Sequence, residues 1–460
     1  MRKRVSLLRS ASFAFGLFVV AGPALVSADE APSGDATAAE ASAADPAAEL
    51  SVEDAVAATL AAQPRLRAAE DEVKAAAARA DQAAWKRVGA VETVGLVTPA
   101  QRPLRIDFPG IPNVLPETSF EVKQLQTYAL SATLTQPLFT WGALASNQAS
   151  ARKELAASRE SRERLRQQLV LEASQGFFVT AAAVAGVRVA EEALAQQQAF
   201  AKATRSRMEA GTAARLDVLK AELTVSEAES TLLSARNREK LAREALVSLA
   251  LDERFRAAKL RYAGETPDQL PAEPAAVARA LAARPDLESL RRQAEGLGLR
   301  GRAVRGAALP ALALRASLTQ QNDDVARVFA KSGQVYQLSL ALSWDATEPL
   351  RSRSRVAELQ ALQDVVVQGI RATEEGIGLQ VRTALLDASE ARQQVLVAQG
   401  ALGTAEEQAR VARLAYGEGE ISALEARDAD LGLTSARFAL LRARLDLALA
   451  QARLRFAMGE

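Results

Sequence analysis

The residue types that most often catalyse reactions or bind metals are missing from this chain. Of its 460 residues none is Cys or His, which excludes disulfides, thiolate and imidazole metal sites, Cys nucleophiles and His-based triads. Catalysis by aspartates alone or by a Ser/Lys pair is still compatible with the composition, but the sequence contains no G-x-S-x-G elbow and no Gly-rich phosphate loop. We therefore expect no enzyme activity, no cofactor and no metal site.

The composition instead predicts long helices that pack closely. Hydrophobic residues make up 49% of the chain and charged residues 25%, only 4% is aromatic, and alanine dominates. Alanine has the highest helix propensity and allows helix backbones to approach each other.

The N-terminus resembles a secretory signal peptide. Basic residues at Arg2, Lys3 and Arg4 precede a short apolar run, and Val26-Ser27-Ala28 provides a small-residue cleavage site, so we predict a signal peptide over 1–28. An uncleaved membrane helix is the less favoured alternative because the apolar run is short. Without this segment the chain has 53 Lys and Arg against 56 Asp and Glu, which does not favour nucleic acid as a partner.

The remainder of the chain is an internal duplication with an offset of 208 residues. Over roughly 120 residues the two halves match without a gap; matched pairs include Leu130 with Leu338, Leu134 with Leu342, Gly211 with Gly419, Arg236 with Arg444, and Leu241 with Leu449. We predict a disordered lead-in over 29–49, a first repeat over 50–262, a linker over 263–274 and a second repeat over 275–460.

Each repeat is predicted to contain a Pro-interrupted helix, a β-hairpin and a pair of long helices. The strands are expected at about 88–97, 127–135, 309–320 and 334–343, where residue character alternates. The proline-rich segment 98–120 in the first hairpin is expected to lack regular structure. Helices of some 65 residues follow each hairpin, reach roughly 100 Å, and end at Gly211 and Gly419.

This combination predicts a membrane channel formed by several copies of the chain. Four strands cannot close a barrel, and open strand edges are not tolerated in lipid, so other copies must complete it. Three chains would supply twelve strands, an even number typical of membrane barrels. Aromatic residues in or beside the strands are candidate anchors at the membrane interface, or alternatively core plugs at the hairpin bases: Tyr128, Phe139, Trp141, Tyr336 and Trp344.

Three motifs resemble those of the TolC family of outer-membrane efflux channels. The family's Q-P-L-F-x-x-G signature is matched by Gln136-Pro137-Leu138-Phe139-Thr140-Trp141-Gly142. Two further family motifs are similar to the start of the first repeat, Leu50-Ser51-Val52-Glu53-Asp54-Ala55, and to the run from Gly211 to Glu222. The likeness covers residues 50–460. The second repeat departs from the signature at Trp344-Asp345-Ala346-Thr347-Glu348-Pro349-Leu350, so its turn is expected to differ from that of the first repeat.

The resemblance implies a mainly α fold with membrane β-hairpins. It implies a homotrimer whose 12-stranded β-barrel, with four strands per protomer, continues into a long periplasmic α-helical barrel. Such a chain would be the passive outer-membrane duct of a tripartite efflux or type I secretion system in a Gram-negative bacterium. Its expected partners are outer-membrane lipid, a periplasmic adaptor (membrane fusion) protein, and an inner-membrane pump of RND or ABC type.

The resemblance also implies a gate at the helix pair that follows Gly419. Glu425 and Asp428 match positions of acidic rings in the family, and three copies of each would favour cations. The alternative is that both acids are solvated partners of nearby arginines such as Arg427. Tyr416 and Asp217 match an inter-helix lock. Ile421 replaces a family arginine, so the lock lacks one arm, and the sequence does not assign Arg215 or Arg427 to that role.

A second class of function is a periplasmic coiled-coil adaptor or structural protein that transports nothing. The long helices alone would suit it. An adaptor would also need a compact β-rich, lipoyl-like module between its helices, whereas the strands predicted here are hairpins.

Overall fold

The computed structural model describes residues 49–98, 104–111, 116, 118–122, 127–261, 270–322 and 333–460. The predicted signal peptide, nearly all of the lead-in and most of the linker lie outside these residues. In chain order the elements are β1 (Glu49–Leu50), α1 (Val52–Ala62), α2 (Pro64–Trp85), β2 (Ala90–Thr98), β3 (Leu104–Phe108), β4 (Thr118–Val122), β5 (Thr127–Phe139), α3 (Ala143–Glu209), α4 (Arg215–Ala250), a 3-10 turn (Glu253–Arg256), β6 (Lys259–Leu260), α5 (Glu273–Ala283), α6 (Pro285–Ala307), β7 (Ala311–Asn322), β8 (Gln334–Ser343), α7 (Glu348–Glu418) and α8 (Ala423–Met458).

The duplication is visible in the order of these elements. Each repeat has two short helices separated by one extended residue, a membrane-type hairpin, one very long helix and one returning helix. Pro64 and Pro285 stand at the first positions of α2 and α6, where their fixed φ suits a helix start. The residues before them, Gln63 and Arg284, are extended because a following proline disfavours helical backbone.

The two hairpins join into one antiparallel sheet of order β2-β5-β7-β8. Directly paired residues share a face, so the register divides the sheet into two surfaces. One surface is mostly apolar, with Gln136, Gln320, Asn322 and Gln334 toward its ends. Its other residues are Val91, Thr93, Gly95 and Val97 on β2, Tyr128, Leu130, Ala132 and Leu134 on β5, Leu312, Leu314, Ala316 and Leu318 on β7, and Tyr336, Leu338, Leu340 and Leu342 on β8. The other carries mostly Ser, Thr, Gln and charged residues, among them Glu92, Ser131, Thr133, Arg315, Ser317 and Ser339.

The prediction that 98–120 lacks regular structure is wrong. β3 and β4 pair antiparallel from Leu104 with Val122 to Phe108 with Thr118. The rings of Phe108 and Phe120 meet edge to face with centroids 5.9 Å apart. Both strands alternate apolar and polar residues, and this local pattern forms a hairpin between the prolines.

The two strand-to-helix turns differ, as the altered signature of the second repeat suggested. In the first, Trp141 and Gly142 are left-handed, with φ of 50° and 75°. The Trp141 carbonyl lies so close to Gly306 that a Cβ there would be 2.7 Å from it. In the second, the Asp345 carboxylate accepts the Thr347 backbone N–H at 2.9 Å and so starts α7 without a left-handed residue.

Alanines and a few large side chains form the helical core, as the composition predicts. In the first repeat Phe177, Leu246 and Phe255 are fully buried together, and in the second Leu287, Ile377 and Val381 are buried with a run of alanines. Within the described residues α3 is the one helix long and apolar enough to cross a membrane by length and composition. Its packing against α1, α2, α4, α6 and α8 is that of a bundle helix.

Candidate functional site: the membrane sheet and the helical tips

Aromatic side chains lie at both ends of the four-stranded sheet. Phe139, Trp141 and Trp344 are at the helical end, half exposed, and the Phe139 and Trp141 rings pack edge to face at 4.9 Å. The two indole N–H groups donate to one short segment between α6 and β7: Trp141 to the Pro310 carbonyl at 2.8 Å and Trp344 to the Ala308 carbonyl at 3.2 Å. These hydrogen bonds fix both indole rings at the surface of the single chain, and the role of the rings as membrane-interface anchors stays a prediction.

Tyr128 and Tyr336 lie at the opposite end of the same apolar surface, where they pair with Asn322 and Leu318. The eleven residue-to-residue steps from Tyr128 to Phe139 extend about 36 Å along the strand. With a strand tilt of about 45° this becomes roughly 25 Å of height, the height of the apolar band of a membrane barrel.

The sequence reasoning missed Trp85, the last residue of α2, which is 70% exposed. All three tryptophans of the chain thus lie where a helix meets a strand. Their position at element boundaries was a signal available in the sequence.

At the other end of the molecule, two turns connect the long helices to the returning ones. We call the turn from α3 to α4 the first tip and the turn from α7 to α8 the second tip. Gly211 and Gly419 are left-handed, with φ of 77° and 82°. In each tip the next N–H caps the helix, from Thr212 to the Arg207 carbonyl and from Glu420 to the Ala415 carbonyl, both at 2.8 Å.

Tyr416 on α7 packs against α3 through three different contacts. Its hydroxyl lies 3.3 Å from Thr204 Oγ1, which is fully buried. Its ring is 5.3 Å from that of Phe200, and the Arg207 guanidinium lies over it at 4.2 Å. Arg207 also donates to the Gly417 carbonyl at 2.7 Å. We call these five residues the Tyr416 cluster; it joins the two helix pairs just behind their tips.

The predicted partner of Tyr416 is elsewhere. Asp217 lies beyond the first tip, in the first turn of α4, and among the described residues it makes no hydrogen bond with Tyr416. Tyr416 lies before the second tip and points back along α3, so it meets Thr204. That Tyr416 acts as an inter-helix lock stays a prediction. The residues that it contacts in the structure lie on α3.

Behind each tip an ion pair joins the two helices of the hairpin. Arg205 pairs with Glu222, and the Arg413 guanidinium lies 2.7 Å from the Asp430 carboxylate. The two pairs are related by the 208-residue offset, which was the signal that could have revealed them. The Glu222 side chain is 44% exposed, whereas the Asp430 side chain is 5% exposed.

The candidate ring residues are exposed on the first turns of α8. Glu425 accepts the Ser422 backbone N–H at 2.8 Å and its hydroxyl at 2.9 Å, and these two hydrogen bonds lower the pKa of Glu425. Asp428 lies 3.1 Å from Arg427, so the predicted arginine neighbour is present. Arg427 is thus engaged, and Arg215 makes no ion pair within the described part of the chain. The part of the chain that the structure describes contains no group of acids arranged for a metal.

Comparison with known proteins decides the family. A family model described as "Outer membrane efflux protein" matches residues 113–250 and 276–460, one segment in each repeat. The chain belongs to the outer membrane efflux protein family. The curated outer membrane efflux protein BepC of Brucella suis is 24% identical over 336 residues, which is 71% of each chain.

Solved structures share the fold of this outer membrane efflux protein. The transmembrane channel CusC matches with a TM-score of 0.74 and 19% identity, over 89% of this chain and 92% of CusC. The outer membrane protein VceC of Vibrio cholerae matches with a TM-score of 0.72 and 17% identity, over 89% and 96%.

These findings confirm the predicted resemblance to the TolC family, the mainly helical fold and the outer-membrane location with a large periplasmic portion. The efflux function is supported by family and fold together, and the adaptor alternative is not favoured. A single chain leaves the sheet open at β2 and β8.

Proposed function

We propose that three copies of this outer membrane efflux protein form a closed duct through the outer membrane and across the periplasm. Each copy supplies four strands to a twelve-stranded barrel. The duct is passive and receives its substrate from an inner-membrane pump, of RND or ABC type, through a periplasmic adaptor protein.

The observation that carries the proposal is the two-faced sheet with free edges. An apolar surface bounded by aromatic residues suits lipid, and a surface of Ser, Thr, Gln and charged residues suits a water-filled lumen. Both edge strands, β2 and β8, have unpaired backbone groups along one side. Lipid does not tolerate such edges, so β8 of one copy pairs with β2 of the next.

The long helices give the duct its reach. α3 has 67 residues and α7 has 71, so each extends roughly 100 Å from the barrel. They end at the two tips, where the adaptor would dock and where the duct would be closed.

The first experiment measures detergent-extracted mass and single-channel conductance in planar bilayers. We expect a trimer that forms stable pores. A water-soluble monomer without pore activity would contradict the proposal.

A pair of neighbouring substitutions tests the two faces of the sheet. Leu340→Arg places a charge on the lipid face near the middle of β8, and this costs about 2–4 kcal/mol at the membrane midplane, so we expect loss of assembled trimer in the outer membrane. Ser339→Arg places the same charge on the lumen face; it should assemble normally and alter conductance. Equal loss of trimer in both variants would show that the faces are wrongly assigned.

The acidic ring has its own test. Replacing both Glu425 and Asp428 with Ala should reduce the cation preference of the pore, since three copies of each carboxylate would be lost from the entrance. Arg427→Ala is the control, because it frees Asp428 from its neighbour and should increase the preference. Unchanged ion selectivity in both variants would favour the alternative that these acids are solvated surface groups.

A further inference from the structure

A cavity of about 560 Å³ lies between α3, α7 and α8, far from both the sheet and the tips. Its walls combine apolar side chains, among them Phe178, Leu441 and Leu445, with polar ones. Two solvent-exposed arginines, Arg188 from α3 and Arg444 from α8, also line it, and none of the acidic residues that the structure describes does. The volume is within the range of small-molecule sites, which is about 300–1,000 Å³.

Neither arginine is neutralised by its neighbours. Within the described residues Arg188 and Arg444 form no ion pair and no hydrogen bond. Most ion pairs of this protein involve an arginine beside a carboxylate, for example Arg437 with Glu192 and Arg256 with Glu244. Arg188 and Arg444 thus present two solvent-exposed guanidinium groups, without a carboxylate partner in the described part of the chain, to the same cavity.

Comparison of the two repeats shows that the ion pairing of the arginine on the returning helix differs between them. In the first repeat Arg236 on α4 forms an ion pair with Glu191 on α3 at 2.9 Å. The offset of 208 residues maps Arg236 to Arg444 and Glu191 to Gln399. Gln399 lines the same cavity. The second repeat thus keeps the arginine and replaces its acid with a neutral amide.

We propose that this cavity binds an anionic amphiphile, a molecule with an apolar chain and a carboxylate, sulfate or phosphate group. The anionic group lies between Arg188 and Arg444 and takes the place of the carboxylate that Gln399 lacks. The apolar chain packs against Phe178 and the leucines of α8. Guanidinium groups bind such oxyanions with paired N–H donors, which suits this ligand class.

Calorimetric titration of the purified trimer in a non-ionic detergent tests the proposal. Octyl sulfate is the probe, added below its micelle concentration, and octanol and inorganic sulfate are the comparison ligands. We expect saturable binding of octyl sulfate at one site per chain, and weaker binding of octanol and of sulfate, because each lacks half of the recognised chemistry. Partition of the probe into detergent is the same for every variant.

The decisive variant is Gln399→Glu, which rebuilds the ion pair seen in the first repeat. It should weaken octyl sulfate binding by roughly tenfold or more, as should Arg444→Ala, because a charge-assisted hydrogen-bonding partner is lost. Arg236→Ala changes the symmetry-related arginine and should leave binding unchanged. Pore conductance should be normal in all three, so a failure here is distinct from a failure of the proposed duct.

Two measurements separate the possible sources of the ligand. If a membrane lipid occupies the cavity, anionic lipid extracted from the purified trimer will be enriched in the wild type over Gln399→Glu. If the ligand is a soluble amphiphile, octyl sulfate will bind without such enrichment. Absence of saturable binding, or equal binding by the wild type and Gln399→Glu, would overturn the proposal.

Discussion

The first and second tips share a backbone and differ in their side-chain contacts. Both turn at a left-handed glycine, both cap the preceding helix with the same N–H, and both have an arginine–carboxylate pair behind the turn. The second tip adds a capping box between Ser422 and Glu425 and buries its acid, Asp430. The first tip has Ala214 at the cap position, and its acid, Glu222, is half exposed.

This difference shows how a duplicated hairpin becomes specialised. The second tip is the more firmly joined of the two, so α7 and α8 are expected to move together as one unit. The contacts that hold this unit against α3 are those of the Tyr416 cluster. The duplication supplies two equal helix pairs, and a few unmatched residues decide which pair is rigid and where the two are joined.

The largest expected difference between the tips concerns their ion pairs. Arg413→Ala leaves the carboxylate of Asp430 buried without its partner, which should lower the free energy of unfolding by about 3 kcal/mol. The matched change Arg205→Ala removes an exposed pair and should cost less than about 1 kcal/mol. Denaturant titration followed by circular dichroism measures both. Equal losses would mean that the two tips are equally stable.

The next prediction concerns the contact between the tips. Arg207→Ala removes the cation over the Tyr416 ring and the hydrogen bond to the Gly417 carbonyl, together worth about 2 kcal/mol. Resting conductance in planar bilayers should rise by an order of magnitude or more.

Tyr416→Phe should have a smaller effect than Arg207→Ala, because it loses only the hydroxyl contact with Thr204. Asp217→Ala separates this arrangement from the pairing expected from the sequence. A larger rise in conductance with Asp217→Ala than with Arg207→Ala would show that the closed state is held on α4.

A smaller effect is expected from exchanging the helix caps. Ser422→Ala removes the cap of α8 and should lower the stability of its first turn by about 1 kcal/mol. Ala214→Ser gives α4 a capping side chain three residues before Asp217 and should stabilise its first turn by about the same amount. Hydrogen exchange of the first-turn amides of α4 and α8 measures both changes. If neither helix start responds, capping does not distinguish the tips.

The smallest prediction is a pH dependence limited to the second tip. Hydrogen bonds from Ser422 lower the pKa of Glu425, so the ionised form stabilises the start of α8. This stabilisation is present above the ordinary carboxyl pKa of 4.5 and is lost as the pH falls through the lowered value. Amide protection at Glu425, corrected for intrinsic exchange, should fall in that window. Glu425→Gln at neutral pH should reproduce the loss.

Much of the fold followed from periodicity and duplication. The four strands of the membrane sheet, the two long helices and both glycine turns lie where the sequence analysis placed them, because each depends on a local pattern of alternation, helical spacing or turn residues. The hairpin of β3 and β4 was missed because the prolines around it obscured two short alternating runs.

The contacts of the tips could be predicted less well. Tyr416 was expected to meet Asp217, but its partners Thr204 and Arg207 are set by the rotation of α7 against α3, which no single-helix pattern reveals. The depth at which Asp430 is buried depends likewise on packing between helices. Arg413 and Asp430 could still have been identified, since the offset maps them to Arg205 and Glu222.

The free edges of β2 and β8 have a genetic consequence for the proposed trimer. Every protomer gives one edge to each neighbour, so one chain with a damaged edge leaves a gap in the whole ring. In a cell that makes normal and edge-damaged chains in equal amounts, random mixing would leave roughly one complex in eight free of damaged chains. Edge mutations would therefore be dominant, whereas a mutation that prevents the chain from folding would be recessive.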